Sequence, residues 1–208
     1  MSHTKRSPAD QAASLRRTGL LSSVRWCPSP NFGPRPAGSE ISLLVVHNIS
    51  LPPGQYGGPE IEDFFCNRLD SSGHPYLETI AEMQVSSHVL VRRDGHCVQF
   101  VNFLERAWHA GRSVFDGCPE CNDYSIGIEL EGTDDDPYTV AQYDALAGLT
   151  ILIMEAWPAV TPQRVTGHSD IAPGRKTDPG PAFDWQYYQQ CLSVRGMAER
   201  TGDGEIVF

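Results

Sequence analysis

The pattern of apolar and polar residues predicts most of the elements. Residues 42–46 (SLLVV) form a short apolar run, the pattern of a strand buried on both faces. Residues 125–130 (SIGIEL) alternate instead. Ile126, Ile128 and Leu130 share one face of the predicted strand, and Glu129 and Glu131 project from the other. Two extended runs, 87–92 and 96–101, flank Asp94-Gly95, a pair that favours a tight hairpin turn. A last short strand is predicted over 163–167. The strongest helix signal spans 139–157, where Tyr143, Leu146, Thr150, Ile153 and Trp157 recur at helical spacing. Thr139 with Gln142 fits a capping box, and Pro158 helps to end the helix. A final helix is predicted over 184–195, capped by Asp184 and closed near Gly196.

Between the first strand and the hairpin lie residues 51–86. They are rich in Pro and Gly over 51–59 and carry two short helical stretches, 60–65 and 76–83. Such a long irregular insertion is the usual material of a binding loop. No internal repeat is visible. Strands interspersed with helices, together with a hairpin, predict an α/β fold: a single domain with a mixed central β-sheet flanked by helices, and long active-site loops. The domain is expected over 26–200. A loosely ordered leader is expected at 1–25, its one candidate element a short helix over 8–17, and a short tail at 201–208.

Composition narrows the function classes. The 208 residues suffice for one domain with a substantial core, and 40% apolar content is ordinary for a globular protein. The net charge is −10, from 16 basic and 26 acidic side chains, so no nucleic-acid partner is expected. A small anionic substrate stays compatible, because a few Arg and Lys side chains can line a pocket. No apolar stretch approaches bilayer-spanning length, and residues 1–23 lack the continuous apolar core of a secretory signal. The expectation is therefore a cytoplasmic protein with no membrane partner, whose six cysteines (Cys27, Cys66, Cys97, Cys118, Cys121 and Cys191) are reduced. Cys118-Pro119-Glu120-Cys121 has CxxC spacing, but a closed metal site usually needs a second pair and the other four cysteines are isolated. The pair is expected to be dispensable.

Candidate chemistry clusters at the ends of predicted core elements. His47 directly follows the apolar run, His168 follows residues 164–167, and Asp178 lies ten residues later. Two His and one carboxylate with an open fourth position is a common ligand set for catalytic zinc. Spacing alone is weak support, since a lone His after a strand is more often structural. Glu129 and Glu131 share a face, and composition does not choose between them as proton acceptor. His88 and His96, in the hairpin, are assigned no role.

Four motifs sharpen this picture. In order, LLVVHNIS (43–50), RAWHAG (106–111), SIGIELEG (125–132) and TGHSDIAPGRKTDPGP (166–181) resemble the AmpD type of N-acetylmuramoyl-L-alanine amidase. The wider group is the zinc amidases, which include phage lysozyme-like amidases and peptidoglycan recognition proteins. The likeness runs from about Trp26 to Trp185. It implies that His47, His168 and Asp178 bind one zinc ion, that Glu129 is the catalytic acid of the strand, and that Lys176 stabilises the oxyanion. Tyr76 matches a tyrosine placed near the active site. Trp108 and His109 are candidates to wall the cleft, and Asn48 and Arg175, which flank ligand residues, are candidates to hold substrate carboxylates or the ligands themselves. The chain departs from the pattern at Glu120, where a basic residue is expected. The implied substrate is a soluble anhydromuropeptide, cleaved by a monomer during cell-wall recycling and so linked to control of β-lactamase induction. Two rivals are a non-catalytic peptidoglycan-binding module, marked by loss of a zinc ligand, and an envelope amidase acting on intact wall, marked by an export signal.

Overall fold

A computed structural model describes residues 7–201, with side chains as far as residue 197; the tail expected at 201–208 lies almost wholly outside the described residues. Six strands form the central sheet: β1 (Arg25–Trp26), β2 (Leu43–Ile49), β3 (Val89–Val91), β4 (Cys97–Gln99), β5 (Ser125–Glu131) and β6 (Val165–Gly167). Their order across the sheet is β1-β4-β3-β5-β2-β6. Every pair is parallel except the β3–β4 hairpin, so the sheet is mixed, as the pattern predicts.

The two central strands are covered on both sides. On one face, Leu44 and Val46 of β2 and Ile126, Ile128 and Leu130 of β5 pack in the main core with a helical layer. Its centre is α4 (Val140–Ala156), which buries most of its circumference, as expected of a helix apolar nearly all round. The capping box is present: the Thr139 hydroxyl accepts from Gln142 N, and the Gln142 side chain accepts from Thr139 N, both at 3.1 Å. The Gln142 amide then donates to the Glu131 carbonyl at 2.9 Å, which fixes α4 against β5.

The short helix expected over 8–17 within the leader is present. Residues 8–18 form α1 (Pro8–Thr18), started by the Ser7 side chain accepting from Asp10 N and ended by Gly19 in the left-handed conformation, φ 67°. Ala12 and Leu15 enter the main core, with Leu15 only 1% exposed. The Gln99 side chain clamps the exit, donating to Gly19 O at 2.8 Å and accepting from Leu21 N at 2.9 Å. A stripe of two small or medium apolar residues is a faint signal, but it is sufficient to cover the outer side of α4.

On the opposite face the sheet carries two separate apolar clusters. The 51–86 insertion contributes α2 (Glu60–Phe65) and α3 (Pro75–Ile80), and its Leu51, Ile61, Phe64, Phe65, Leu77 and Ile80 pack over Leu90, Val98 and Phe100. Leu43 and Val45 of β2 meet Ala110, Cys121, Tyr124 and Ile171 in the other. Between the two clusters the sheet presents polar side chains, His47 and Glu129 among them. The helical layer is completed by α6 (Trp185–Thr201), whose first turn is capped by Asp184 accepting from Tyr187 N at 2.8 Å. No helix among the described residues is long and apolar enough to cross a membrane.

Because Leu15 is a core residue, Leu15→Ala is expected to cost about 2–5 kcal/mol in urea denaturation. A loss below ~0.5 kcal/mol would show that α1 is only loosely attached.

Candidate active site

The parallel register of the sheet brings the site together. His47 of β2 lies directly opposite Glu129 of β5, and Gly167 of β6 pairs with Val46. The residue after Gly167, His168, opens α5 (His168–Ile171) and so arrives beside His47. The loop that follows returns Asp178 to the same point. Ser169 N donates to the Asp178 carbonyl at 2.9 Å. The Pro179 carbonyl accepts from the Tyr138 hydroxyl at 2.8 Å and from the Asn48 amide at 3.1 Å, and Asn48 also donates to Asp134 at 2.8 Å.

The result is a triangle of equal edges. His47 Nδ1, His168 Nδ1 and Asp178 Oδ2 stand 3.0 Å from one another, and all three residues are buried. The second nitrogen of each ring is engaged elsewhere. His168 Nε2 lies 3.0 Å from the Ala110 carbonyl; a carbonyl has no proton to give, so Nε2 carries the hydrogen and Nδ1 offers a lone pair. His47 Nε2 lies 2.9 Å from His109 Nδ1. Burial pulls the His47 pKa down to about 4, against the pull of the Asp178 hydrogen bond. Burial alone would raise the Asp178 carboxyl, but hydrogen bonds and charge from His168 and His47 hold it well below the ordinary range. Near neutral pH His47 is thus a neutral imidazole and Asp178 an ionised carboxylate, the forms that ligate zinc. Three atoms bound to one zinc ion at about 2.0–2.2 Å stand a little over 3 Å apart, so the triangle has the size and chemistry of three zinc ligands.

The two candidate acids separate clearly. Glu131 is fully engaged: its carboxylate accepts from Gly57 N at 2.7 Å, Arg92 Nη1 at 3.0 Å and Arg93 N at 3.1 Å. It fastens the insertion and the hairpin to β5. Glu129, one residue pair closer to His47, has a buried Oε2 with no hydrogen-bond partner. Burial and the nearby Asp178 charge push its pKa well above the carboxylate range, while the Lys176 ammonium opposes them. Lys176 is itself exposed, and its field also lowers His47. A buried acid with a raised pKa and an unused oxygen beside three metal-type ligands is a candidate catalytic group.

Known proteins place the chain. The family model described as N-acetylmuramoyl-L-alanine amidase matches residues 37–181, about 70% of the chain, a span that includes His47, Glu129, Glu131, His168, Lys176 and Asp178. The chain belongs to the N-acetylmuramoyl-L-alanine amidase family. The 1,6-anhydro-N-acetylmuramyl-L-alanine amidase AmpD of Enterobacter cloacae is 50% identical over 187 residues, which cover 90% of this chain and 100% of the relative. The crystal structure of a selenomethionine AmpD derivative is 52% identical with a TM-score of 0.81, covering 84% of this chain and 97% of that one. The amidase AmiD of Escherichia coli, solved in complex with anhydro-N-acetylmuramic acid-L-Ala-D-γ-Glu-L-Lys, is 34% identical with a TM-score of 0.54, covering 76% of this chain and 60% of that one.

The remaining candidate residues of the amidase fall into two groups. Asn48 and Arg175 are occupied with the protein itself. Asn48 holds the ligand loop as described, and Arg175 Nη2 donates to the carbonyls of Ala110 and Arg112 at 2.6 and 2.7 Å. Ala110 O therefore braces His168 and Arg175 together. Tyr76 is 42% exposed at the start of α3, and Trp108 is half-buried, with its backbone paired to Ser86. His109 lies over Gly127, where a Cβ would stand 2.4 Å from the ring. Sequence reading missed Arg35, a largely buried guanidinium that donates to the carbonyls of Phe103, Asn122, Asp123 and Ser125 and anchors the start of β5. His88, assigned no role, is a satisfied buried histidine: its Nε2–H donates to Glu105 O at 3.1 Å, leaving Nδ1 to accept from Gly127 N at 3.0 Å. Arg35 carries no pattern that a linear reading detects. Cys121 is buried against the Tyr124 hydroxyl and Cys118 is exposed; among the described residues neither joins a metal-type cluster.

Burial of Glu129 has a measurable cost. With its folded pKa above the unfolded value, the metal-free amidase pays nothing for Glu129 below about pH 4, where both states are protonated, and progressively more as pH rises through the folded pKa. Metal-free Glu129→Gln is expected to be more stable than the parent near pH 8, with the difference closing below about pH 4. A parent more stable than Glu129→Gln at pH 8 would contradict the raised pKa. Glu131→Ala is expected to lose about 3–5 kcal/mol, since it strands buried donors including Arg92.

Proposed function

We propose that this amidase hydrolyses the amide between the lactyl group of anhydro-N-acetylmuramic acid and L-alanine in soluble muropeptides, with one zinc ion per chain held by His47, His168 and Asp178. It acts as a monomer in the cytoplasm, in the recycling of wall fragments. The observation that carries the reading is the triangle of three buried acceptor atoms set beside the unpartnered Oε2 of Glu129. The substrate class is supported by the names of the relatives and by the anhydromuropeptide bound in the related amidase.

An amide is a poor electrophile with a poor leaving group. Cleavage needs an activated water, stabilisation of the charge that develops on the carbonyl oxygen, and a proton for the departing amine. Zinc held by His47, His168 and Asp178 would supply a Lewis acid for the scissile carbonyl and for water. The chain's own groups do the rest. Glu129 Oε2 takes the proton of the attacking water, and the same carboxyl, now protonated, delivers it to the alanine nitrogen as the C–N bond breaks. Burial suits this exchange, since it brings the basicity of Glu129 closer to that of a group working near neutral pH. The Lys176 ammonium, two residues before the ligand Asp178, opposes the rise in the Glu129 pKa and faces the developing oxyanion. Half-buried Trp108 supplies an apolar wall that favours the compact anhydro ring over a nucleotide-linked muramic acid.

Mass spectrometry of products from anhydromuropeptide, UDP-linked precursor and intact sacculi, side by side, tests the assignment. The anhydromuropeptide should be cleaved fastest by a wide margin. Comparable rates on sacculi would move the protein to the envelope. Glu129→Ala should cut turnover at least ~100-fold, and Lys176→Ala on the order of 100- to 1000-fold. Near-normal turnover in Glu129→Ala would remove it from the mechanism.

A further inference from the structure

His47 meets the ligand triangle with Nδ1 and gives its other nitrogen to another histidine. His47 Nε2 is 2.9 Å from His109 Nδ1, and His109 Nε2 is 3.0 Å from Ser125 Oγ. The two rings meet edge to face, with centroids 5.0 Å apart and planes at 83°. We infer that His109, oriented by Ser125, is the positioning residue that fixes the tautomer and ring direction of His47 as a metal ligand, instead of a wall of the substrate cleft. The inference rests on the metal reading given above.

Proton counting links the two rings. For a neutral His47 to present a lone pair at Nδ1, its hydrogen must sit on Nε2 and be donated to His109 Nδ1. His109 then carries its own hydrogen on Nε2 and donates it to Ser125 Oγ, which as a hydroxyl accepts. In the reverse sense Ser125 donates to His109 Nε2, His109 Nδ1 donates to His47 Nε2, and the His47 hydrogen moves to Nδ1, inside the triangle. Only the first arrangement leaves the triangle free for a cation. The tautomers of His47 and His109 are thus locked to each other, and a neutral imidazole does for His47 what the Ala110 carbonyl does for His168.

The fold holds His109 tightly in this place. Ser125 and Gly127 lie on the same face of β5 as Glu129, and a Cβ at residue 127 would overlap the His109 ring. Gly127 N is in turn held by His88 Nδ1 at 3.0 Å. From the other side, Asn122 Oδ1 accepts from the backbone N–H of His109 at 3.2 Å and of Ala110 at 2.8 Å, so the support for both ligand histidines hangs from one side chain.

The test is zinc affinity, measured by competition with a chromophoric chelator and with no substrate present. His109→Leu should bind zinc about 10- to 100-fold more weakly than the parent, the usual effect of losing a partner behind a ligand. His109→Asn places an amide oxygen near the position of Nδ1 and should recover most of that loss. Ser125→Ala, which leaves His109 in place but unanchored, should weaken binding by about 3- to 10-fold and guards against misfolding of the His109 variants. Parent-like affinity in His109→Leu or Ser125→Ala would overturn the inference, as would an Asn variant no better than Leu, which would mark a packing role. A parent that binds no zinc would overturn the metal reading itself; a parent that binds while all variants match it overturns the positioning role alone.

Discussion

The protein's interior brings three electron-pair donors to within 3.0 Å of one another. Without a cation or a shared proton this arrangement is unfavourable, because buried acceptors facing each other have neither water nor donors to satisfy them. The surrounding structure enforces it. The parallel pairing of β2 with β6 sets His47 beside His168, and the loop through Pro179 is pinned by Asn48, Tyr138 and Ser169 N until Asp178 closes the triangle. The helical layer on the opposite face makes the strands rigid enough to hold these positions.

The second feature is a carboxyl that is buried yet unused. Two glutamates two residues apart on β5 take opposite roles because their neighbours differ. Glu131 meets two backbone N–H groups and an arginine and works as a fastener; Glu129 meets ligand residues and keeps one oxygen unpaired. The split clusters on this face of the sheet leave the gap in which Glu129 sits. A non-catalytic binding module would have no need to retain such an acid beside a complete ligand set.

Much of the fold is legible in the sequence where the signal is periodic and local. The apolar run of β2, the alternation of β5, the Asp-Gly hairpin and the capping box of α4 all follow from nearest neighbours, and the structure has them. The alternation of β5 also gives the two faces correctly, although both turn out to be covered. What escapes is set by long-range pairing. β1 is two residues long at the sheet edge, with no periodicity to announce it. Asn48 and Arg175 are read beside ligand residues as candidates to hold substrate carboxylates or the ligands themselves, and the partners they do hold, Asp134, Pro179, Ala110 and Arg112, lie more than 60 positions away in the chain. The choice between Glu129 and Glu131, and the link from Ser125 through His109 to His47, exist only once the strands are side by side. For the ligand set, spacing was a weak guide, and the motif resemblance carried the expectation.

The central claim is that His47, His168 and Asp178 form the metal centre, and zinc K-edge X-ray absorption of the reconstituted protein tests it most directly. The account expects one tightly bound zinc per chain in a shell of light N and O donors at about 2.0–2.2 Å, including imidazole scattering from two histidines. A sulfur shell near about 2.3 Å would place the metal on the cysteines, and a protein that takes up no zinc would leave the triangle without the cation on which the account depends.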